Sequence, residues 1–293
     1  MDYQAILKTF KPGHSFFAGI DSDGCVFDSM EVKQKEFFIP AAIRYFDLFR
    51  VSKQVRETWE FVNLYSVYRG GNRFVSLVKV FELLASRDDI RQSGIILPDL
   101  KELKSWISNE TKLGNATLRE YCKENNDKFL NLVLKWSEHV NKEIGGWLHD
   151  IPPFRHAVRS MKKLSGVADI MVVSQTPLDA LEREWFENDL KKFVSVIAGQ
   201  EHGTKTEHIA LAAKDKYSGN KILMIGDAFG DLNAAKSNGI LFFPINPGNE
   251  DLSWELFLKE GLKKFMDNTY AGSYEEMLIS EFKKSLPVTP PWK

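Results

Sequence analysis

Two aspartates separated by one residue, Asp21 and Asp23, close the short apolar run Phe16–Ile20 and lead into Gly24. A carboxylate at the end of a buried strand can attack phosphorus and form an acyl phosphate. A second carboxylate two residues on can protonate the departing oxygen and then deprotonate the attacking water. Asp-x-Asp-Gly also suits a turn that caps a helix. Further along, Met171-Val172-Val173 ends in Ser174, followed by Gln175. Ser174 and the N–H groups after it can bind phosphate oxygens at a helix N-terminus, and a plain helix cap is the competing reading. Lys205 stands in Gly203-Thr204-Lys205-Thr206, just before a helical stretch. An ammonium there can neutralise both a nucleophile and a phosphoryl group, whereas a lone lysine is ordinarily a solvated surface charge. A further apolar run, Ile222–Ile225, ends in Gly226-Asp227, with Asp231 beyond it. Hard carboxylates suit Mg2+, which keeps several waters and takes few protein ligands. An aspartate at a helix start is equally what the helix dipole favours.

The elements that must position these residues are short. Phe16–Ile20, Ile170–Val173, Val194–Ala198, Ile222–Ile225 and Ile240–Phe243 read as buried strands, most of them rich in β-branched or aromatic residues. The stretches 178–186, 206–216 and 231–238 between the later strands have helix-forming composition, so the pattern predicts a parallel sheet wrapped by helices. The first two strands are separated by a long interval with almost no strand signal. Helical spacing is read instead over 32–49, 55–67, 73–86, 100–109 and 118–144. A single crossover does not need so much chain. The expected architecture is therefore a Rossmann-like parallel α/β core, residues 1–28 with 147–293, interrupted by an all-helical cap over 29–146. Gly145-Gly146 and Pro152-Pro153 punctuate the return to the core. The tail is expected to be helical over 254–266 and 274–284 and frayed from 286 on.

Composition excludes several function classes. With 39 basic and 40 acidic residues in 293 and a net charge of −1, nothing suggests a nucleic-acid or membrane-surface partner. No run approaches the length of a transmembrane helix, and the polar first residues do not read as a signal peptide. Cys25 and Cys122 are too few and too far apart for a disulfide framework and read as free thiols. A cytoplasmic location is the expectation, and no pattern fixes an oligomeric state.

Taken in order, Asp-x-Asp-Gly at 21–24, the strand ending in Ser174, Lys205, and Gly-Asp-x-x-x-Asp at 226–231 resemble the haloacid dehalogenase-like hydrolase superfamily. The likeness is to its phosphatase branch, and the insertion after the first motif resembles that family's type-1 helical cap. The resemblance implies Asp21 as nucleophile, Asp23 as general acid and base, Ser174 as a phosphoryl ligand and Lys205 as its charge partner. It implies Mg2+ held by the Asp21 carboxylate, the Asp23 backbone carbonyl and Asp227, with Asp231 as a ligand or as a partner behind the ligands. Asp23 argues for phosphate esters, since relatives that cleave carbon–halogen or phosphonate bonds lack a carboxylate there. Hydrolysis of a small phosphomonoester, a phosphorylated metabolite, is the expected activity. A phosphomutase using the same aspartyl-phosphate, and a non-catalytic phosphate-ligand-binding protein, are the alternatives. The chain departs from close phosphatase relatives at Ile151-Pro152-Pro153-Phe154, which lacks a Pro-Gly turn, and at Gln175, where a small residue or Asn is frequent.

Within the expected cap, Tyr68-Arg69-Gly70-Gly71-Asn72-Arg73 reads as a Gly-hinged loop carrying two guanidinium groups. Arg69 and Arg73 either contact substrate oxygens or are solvated. Trp59, Trp106, Trp136 and Trp147 line an aromatic pocket or, as the plainer reading has it, pack in the core. His202 and His208 lie near Lys205 without metal-ligand spacing.

Overall fold

Runs of residues apolar on both faces can be satisfied only by a sheet covered on both sides, and five of them pair in this way in the computed structural model, which describes residues 2–292. The strands are β1 (Phe16–Ile20), β2 (Ala168–Val173), β3 (Val196–Ala198), β4 (Ile222–Gly226) and β5 (Leu241–Pro244). Among the described residues they form one parallel sheet in the order β3-β2-β1-β4-β5. β1 is central, and all five of its residues are buried. It pairs Ala18 with Ile170 on one side and with Leu223 on the other. The reversal of strand order beside β1 creates the crevice at the carboxyl ends of β1, β2 and β4, where open α/β sheets bind ligands. At the opposite end, Asp169 accepts hydrogen bonds from the Gly13 and His14 N–H groups, both at 2.9 Å, and from the Tyr217 hydroxyl at 2.7 Å. The N-terminal segment is thereby fixed to the sheet.

The chain divides into two compact units. One runs to Met30 and resumes from His149 to Leu286, and it contains the sheet. The other, Glu31–Leu148, is helical and takes in the chain from Pro287 onward. The core of the helical unit is aromatic. The Trp136 ring centroid lies 5.8 Å from Phe38, 5.9 Å from Phe46 and 5.9 Å from Trp59. Trp59, Trp106 and Trp136 are buried there, whereas Trp147 is exposed.

Three local expectations differ from the structure. The stretch 118–144 is two helices, Asn115–Asn125 and Lys128–Trp147. Asn126 adopts a left-handed φ of 43°, which asparagine tolerates better than most residues. Asp127 then caps the second helix by accepting from the Leu130 N–H at 2.8 Å. That second helix runs through Gly145-Gly146 to Trp147 instead of ending before them. Finally, the tail is not frayed where Trp292 stands. Its ring lies 5.5 Å from Phe61 and 4.7 Å from the Arg87 guanidinium carbon, a stacked cation–π arrangement. Arg87 is held in turn by Glu57 and Asp89, each at 2.8 Å. Among the described residues no helix is long and apolar enough to cross a membrane.

Candidate active site

β1 delivers Asp21 to its carboxyl end, where the Asp21 N–H donates to the Ile225 carbonyl of β4 at 3.0 Å. The chain then folds into a tight loop. The N–H groups of Cys25, Val26 and Phe27 all point at the Ser22 carbonyl, at 3.3, 2.9 and 3.2 Å. Gly24 makes the reversal possible with a φ of 76°, a conformation L side chains resist. The loop is pinned from the side by Ser22, whose hydroxyl accepts from Trp185 Nε1 at 2.9 Å and donates to Glu184 at 3.2 Å. The backbone around the first two aspartates is thus over-determined, which is what a reacting carboxylate requires.

Asp21 is buried and both its oxygens are engaged. Oδ1 accepts the Ser22 N–H at 2.8 Å, and Oδ2 pairs with Lys205 Nζ at 2.9 Å. Lys205 also pairs with Asp231 Oδ1 at 2.6 Å. It reaches them from the first turn of helix Lys205–Ile209, whose start is fixed by a reciprocal cap. The Glu207 N–H donates to Thr204 Oγ1 at 3.2 Å, while Glu207 Oε2 accepts the Thr204 N–H at 2.7 Å. Asp231 opens helix Phe229–Asn238 after β4 and is fully buried. Its Oδ2 accepts from the Asp227 and Ala228 N–H groups at 3.2 and 3.1 Å. Such close approach needs the glycine at 226. A β-carbon there would fall 2.4 Å from Asp231 Cβ and Cγ.

Asp21, Asp227 and Asp231 each offer a carboxylate oxygen within 4.8 Å of the others, all three residues buried. Burial is the main force holding the Asp21 carboxyl well above the usual carboxylate range. Lys205 offsets part of it, and Asp231 and Asp227 add to it. Asp231 is raised for the same reasons, burial first, with Lys205 opposing. Burial works against the Lys205 ammonium, but Asp21 and Asp231 together outweigh it, and its pKa stands above the ordinary lysine value. Lys205 supplies one positive charge against three carboxylates. Each ionised pair repels by roughly 3 kcal/mol at an effective dielectric of about 20. Buried, oxygen-only and short of two positive charges, this donor set fits a hard divalent cation.

The remaining expected residues fall into two groups. Ser174, at the end of β2, is buried beside the crevice; its N–H donates to the Ala198 carbonyl at 3.0 Å and its Oγ accepts the Thr176 N–H at 3.2 Å. Gln175 turns aside, donating through Nε2 to the Gly203 carbonyl at 2.9 Å. Asp23 is half-buried; Ser29 Oγ donates to its Oδ1 at 2.5 Å and Thr176 Oγ1 to its Oδ2 at 2.8 Å. Sequence reasoning did not single out Ser29 or Thr176, because a small hydroxyl residue has no signature until its partner is placed. Arg69 and Arg73 belong to the helical unit. Arg69 is buried and donates to the Leu64 carbonyl at 2.9 Å. Arg73 donates to Ser137 Oγ at 3.0 Å and Asn141 Oδ1 at 2.7 Å and stacks on Phe38. Neither guanidinium is the solvated charge that the sequence offered as one reading.

No family model matches the chain, and no curated protein matches it. Solved structures do. A haloacid dehalogenase-like family hydrolase from Streptococcus pneumoniae is 12% identical, with a TM-score of 0.40 over 82% of this chain and 90% of that one. A haloacid dehalogenase-like family hydrolase from Xanthomonas campestris is 11% identical, with a TM-score of 0.38 over 87% and 97%. A predicted phosphatase from Clostridium acetobutylicum is 14% identical, with a TM-score of 0.43 over 86% and 100%. These likenesses are remote. In the order of its motifs and in the side chains gathered at the ends of β1, β2 and β4, the chain resembles the haloacid dehalogenase-like hydrolases.

Proposed function

We propose that the chain is a phosphohydrolase that cleaves a small phosphomonoester through an aspartyl-phosphate on Asp21. The observation that carries this reading is the Asp21–Lys205–Asp231 chain of contacts at 2.9 and 2.6 Å, closed by Asp227 into one buried cluster. Asp21, the Asp23 backbone carbonyl and Asp227 would hold a divalent cation, Mg2+ by the hardness of the donors, with Asp231 as a further ligand or as the support behind them. When bound, that cation supplies the positive charge that lets a carboxylate and a phosphoryl group approach. The chain's own residues do the rest. An Asp21 carboxylate oxygen attacks phosphorus, and the ester P–O bond breaks as the leaving oxygen takes a proton from the Asp23 carboxyl. The Asp23 carboxylate then takes a proton from water. The water oxygen attacks phosphorus, and the bond to Asp21 breaks to release inorganic phosphate. Proton transfer of this kind is worth roughly 10²–10⁴ in rate. Ser174 Oγ accepts the Thr176 N–H and keeps its own proton to donate to a phosphoryl oxygen, and Lys205 stabilises the charge that builds there.

The proposal places no step on Arg69 or Arg73; Arg69 donates to the Leu64 carbonyl, and Arg73 donates to Ser137 and Asn141. Release of phosphate from a panel of phosphomonoesters, with and without Mg2+, tests the reading in wild type and Asp21→Asn. Metal-dependent release that falls by at least about a thousandfold in the variant is expected. Hydrolysis by Asp21→Asn at the wild-type rate would sink the mechanism. Phosphoryl transfer to an added sugar phosphate in place of release would move the reading to a mutase.

A further inference from the structure

We infer that Thr176 is a positioning residue for the proton-transfer carboxyl of Asp23. The inference rests on the function proposed above and concerns a residue to which that proposal gives no role. Asp23 and Thr176 are 153 positions apart in the chain, on different strand-end loops, and their side chains meet at 2.8 Å. The contact is directed from both ends. Thr176 is fixed by its own N–H, which donates to Ser174 Oγ at 3.2 Å, and by its carbonyl, which accepts the Gln200 N–H at 3.1 Å. Gly199 lies so close to it that a β-carbon there would stand 2.7 Å from the Thr176 carbonyl oxygen. The loop after β2 is therefore held rigidly against the segment after β3.

Asp23 itself lies past the turn at Ser22, on a loop that must leave one of its oxygens facing the ester. A free aspartate side chain has two soft torsions, and each rotamer outside the productive one divides the rate. Thr176 Oγ1 donates to Oδ2 while Ser29 Oγ donates to Oδ1, so the carboxyl plane is fixed from two directions. Ser29 is near in sequence and moves with the same loop, whereas Thr176 ties Asp23 to the sheet. Thr176 also touches Ser174, the residue proposed to bind the phosphoryl group. A single loop thus sets the phosphoryl ligand and the acid/base carboxyl at a fixed separation. Thr176 need not touch the substrate to affect the rate.

Thr176→Val keeps the shape and removes the hydroxyl; Thr176→Ser keeps the hydroxyl. The assay is steady-state phosphate release at saturating Mg2+ with two esters, one with an alkyl alcohol leaving group and one with 4-nitrophenol. An alkoxide needs a proton to depart and a nitrophenolate does not. Thr176→Val is expected to lower kcat/KM, which reports formation of the aspartyl-phosphate alone, at least about tenfold with the alkyl ester and by less with the nitrophenyl ester, and Thr176→Ser is expected to restore it. In an Asp23→Asn background, Thr176→Val should cost nothing further, because both changes remove one function. Equal losses of kcat/KM on both esters, or full additivity with Asp23→Asn, would overturn the inference and leave a structural role. Wild-type kcat/KM in Thr176→Val, with Asp23→Asn impaired, would overturn it alone. Absence of release by wild type would instead overturn the proposed function on which it rests.

Discussion

Replacing Gly226 by alanine tests whether the backbone of β4 and the Asp231 carboxylate must touch. The added β-carbon would lie 2.4 Å from Asp231 Cβ and Cγ and 2.5 Å from Oδ2. Ordinary carbon contacts begin near 3.4 Å, so something must retreat by about 1 Å. The opposing atoms are not the end of a flexible chain. Asp231 is anchored in helix Phe229–Asn238, its Oδ2 by two backbone N–H groups at 3.2 and 3.1 Å and its Oδ1 by Lys205 at 2.6 Å. A retreat of that size breaks the two backbone bonds. Overpacking costs about 1–3 kcal/mol, and a buried carboxylate losing hydrogen bonds costs a further 1–3 kcal/mol or so. The expected loss is about 3 kcal/mol, or roughly 6–12 °C in the melting temperature of a unit this size. Thermal melts followed by circular dichroism, with a urea titration at 25 °C, give both quantities. Gly230→Ala is the internal control. It lies in the same helix, and a β-carbon there meets nothing within 4 Å, so the change should be neutral or stabilise by about 0.5–1 kcal/mol. A Gly226→Ala protein that melts with wild type would refute the claim that this contact is obligatory.

Three further outcomes follow from the charges. Adding Mg2+ to metal-stripped protein should raise the melting temperature, by about 2.7 kcal/mol of stability at one hundred times the dissociation constant. Asp227→Asn should melt higher than wild type without metal, because one of the three clustered carboxylates is neutralised, yet gain little from Mg2+; an undiminished Mg2+ shift would remove Asp227 from the donor set. His208 is buried beside His202, and burial first, then the His202 and Lys205 charges, hold its pKa down at about 4. The unfolded chain binds that proton near pH 6.5, so His208 favours the folded state above pH 6.5 and that contribution is lost as pH falls toward 4. Between pH 7 and 5 the loss is roughly 2 kcal/mol. His208→Leu should flatten the stability profile in this window, and an unchanged slope measured by urea titration would exclude His208 as its source.

The sheet was legible because each strand contains a short, largely apolar run that can be satisfied only between two covered faces. Phe16–Ile20 keeps the bounds read from it, and β4 extends one residue further, to Gly226. β3 begins later than its apolar run, at Val196, because the preceding residues approach β2 through a single bond from the Ser195 N–H to Ile170. Three of the four motifs were legible because each ends a strand, and strand ends on one edge of a parallel sheet must converge; Lys205 was legible only by its place in the order of motifs. What escaped the sequence is pairwise. Nothing in the letters at 29 or 176 says that their hydroxyls meet Asp23. The break at Asn126-Asp127 carries a turn signature, but the helical spacing on either side ran through it. Arg73 looked like a free charge because its partners Ser137 and Asn141 are small polar groups far along the chain, which leave no charge pattern to read.

The tail from Pro287 belongs to the helical unit, where the Pro287 carbonyl accepts the Val67 N–H at 3.3 Å and Trp292 covers Phe61 and Arg87. The polypeptide therefore passes from one unit to the other three times, after Met30, after Leu148 and after Leu286. An excised fragment 31–148 would be contiguous but incomplete, with an indole-sized patch of Phe61 and the Arg87 stem left wet. A faithful minimal version would carry residues 287–292 back on a linker, and a fusion at the C-terminus would tug on the helices, not on the sheet.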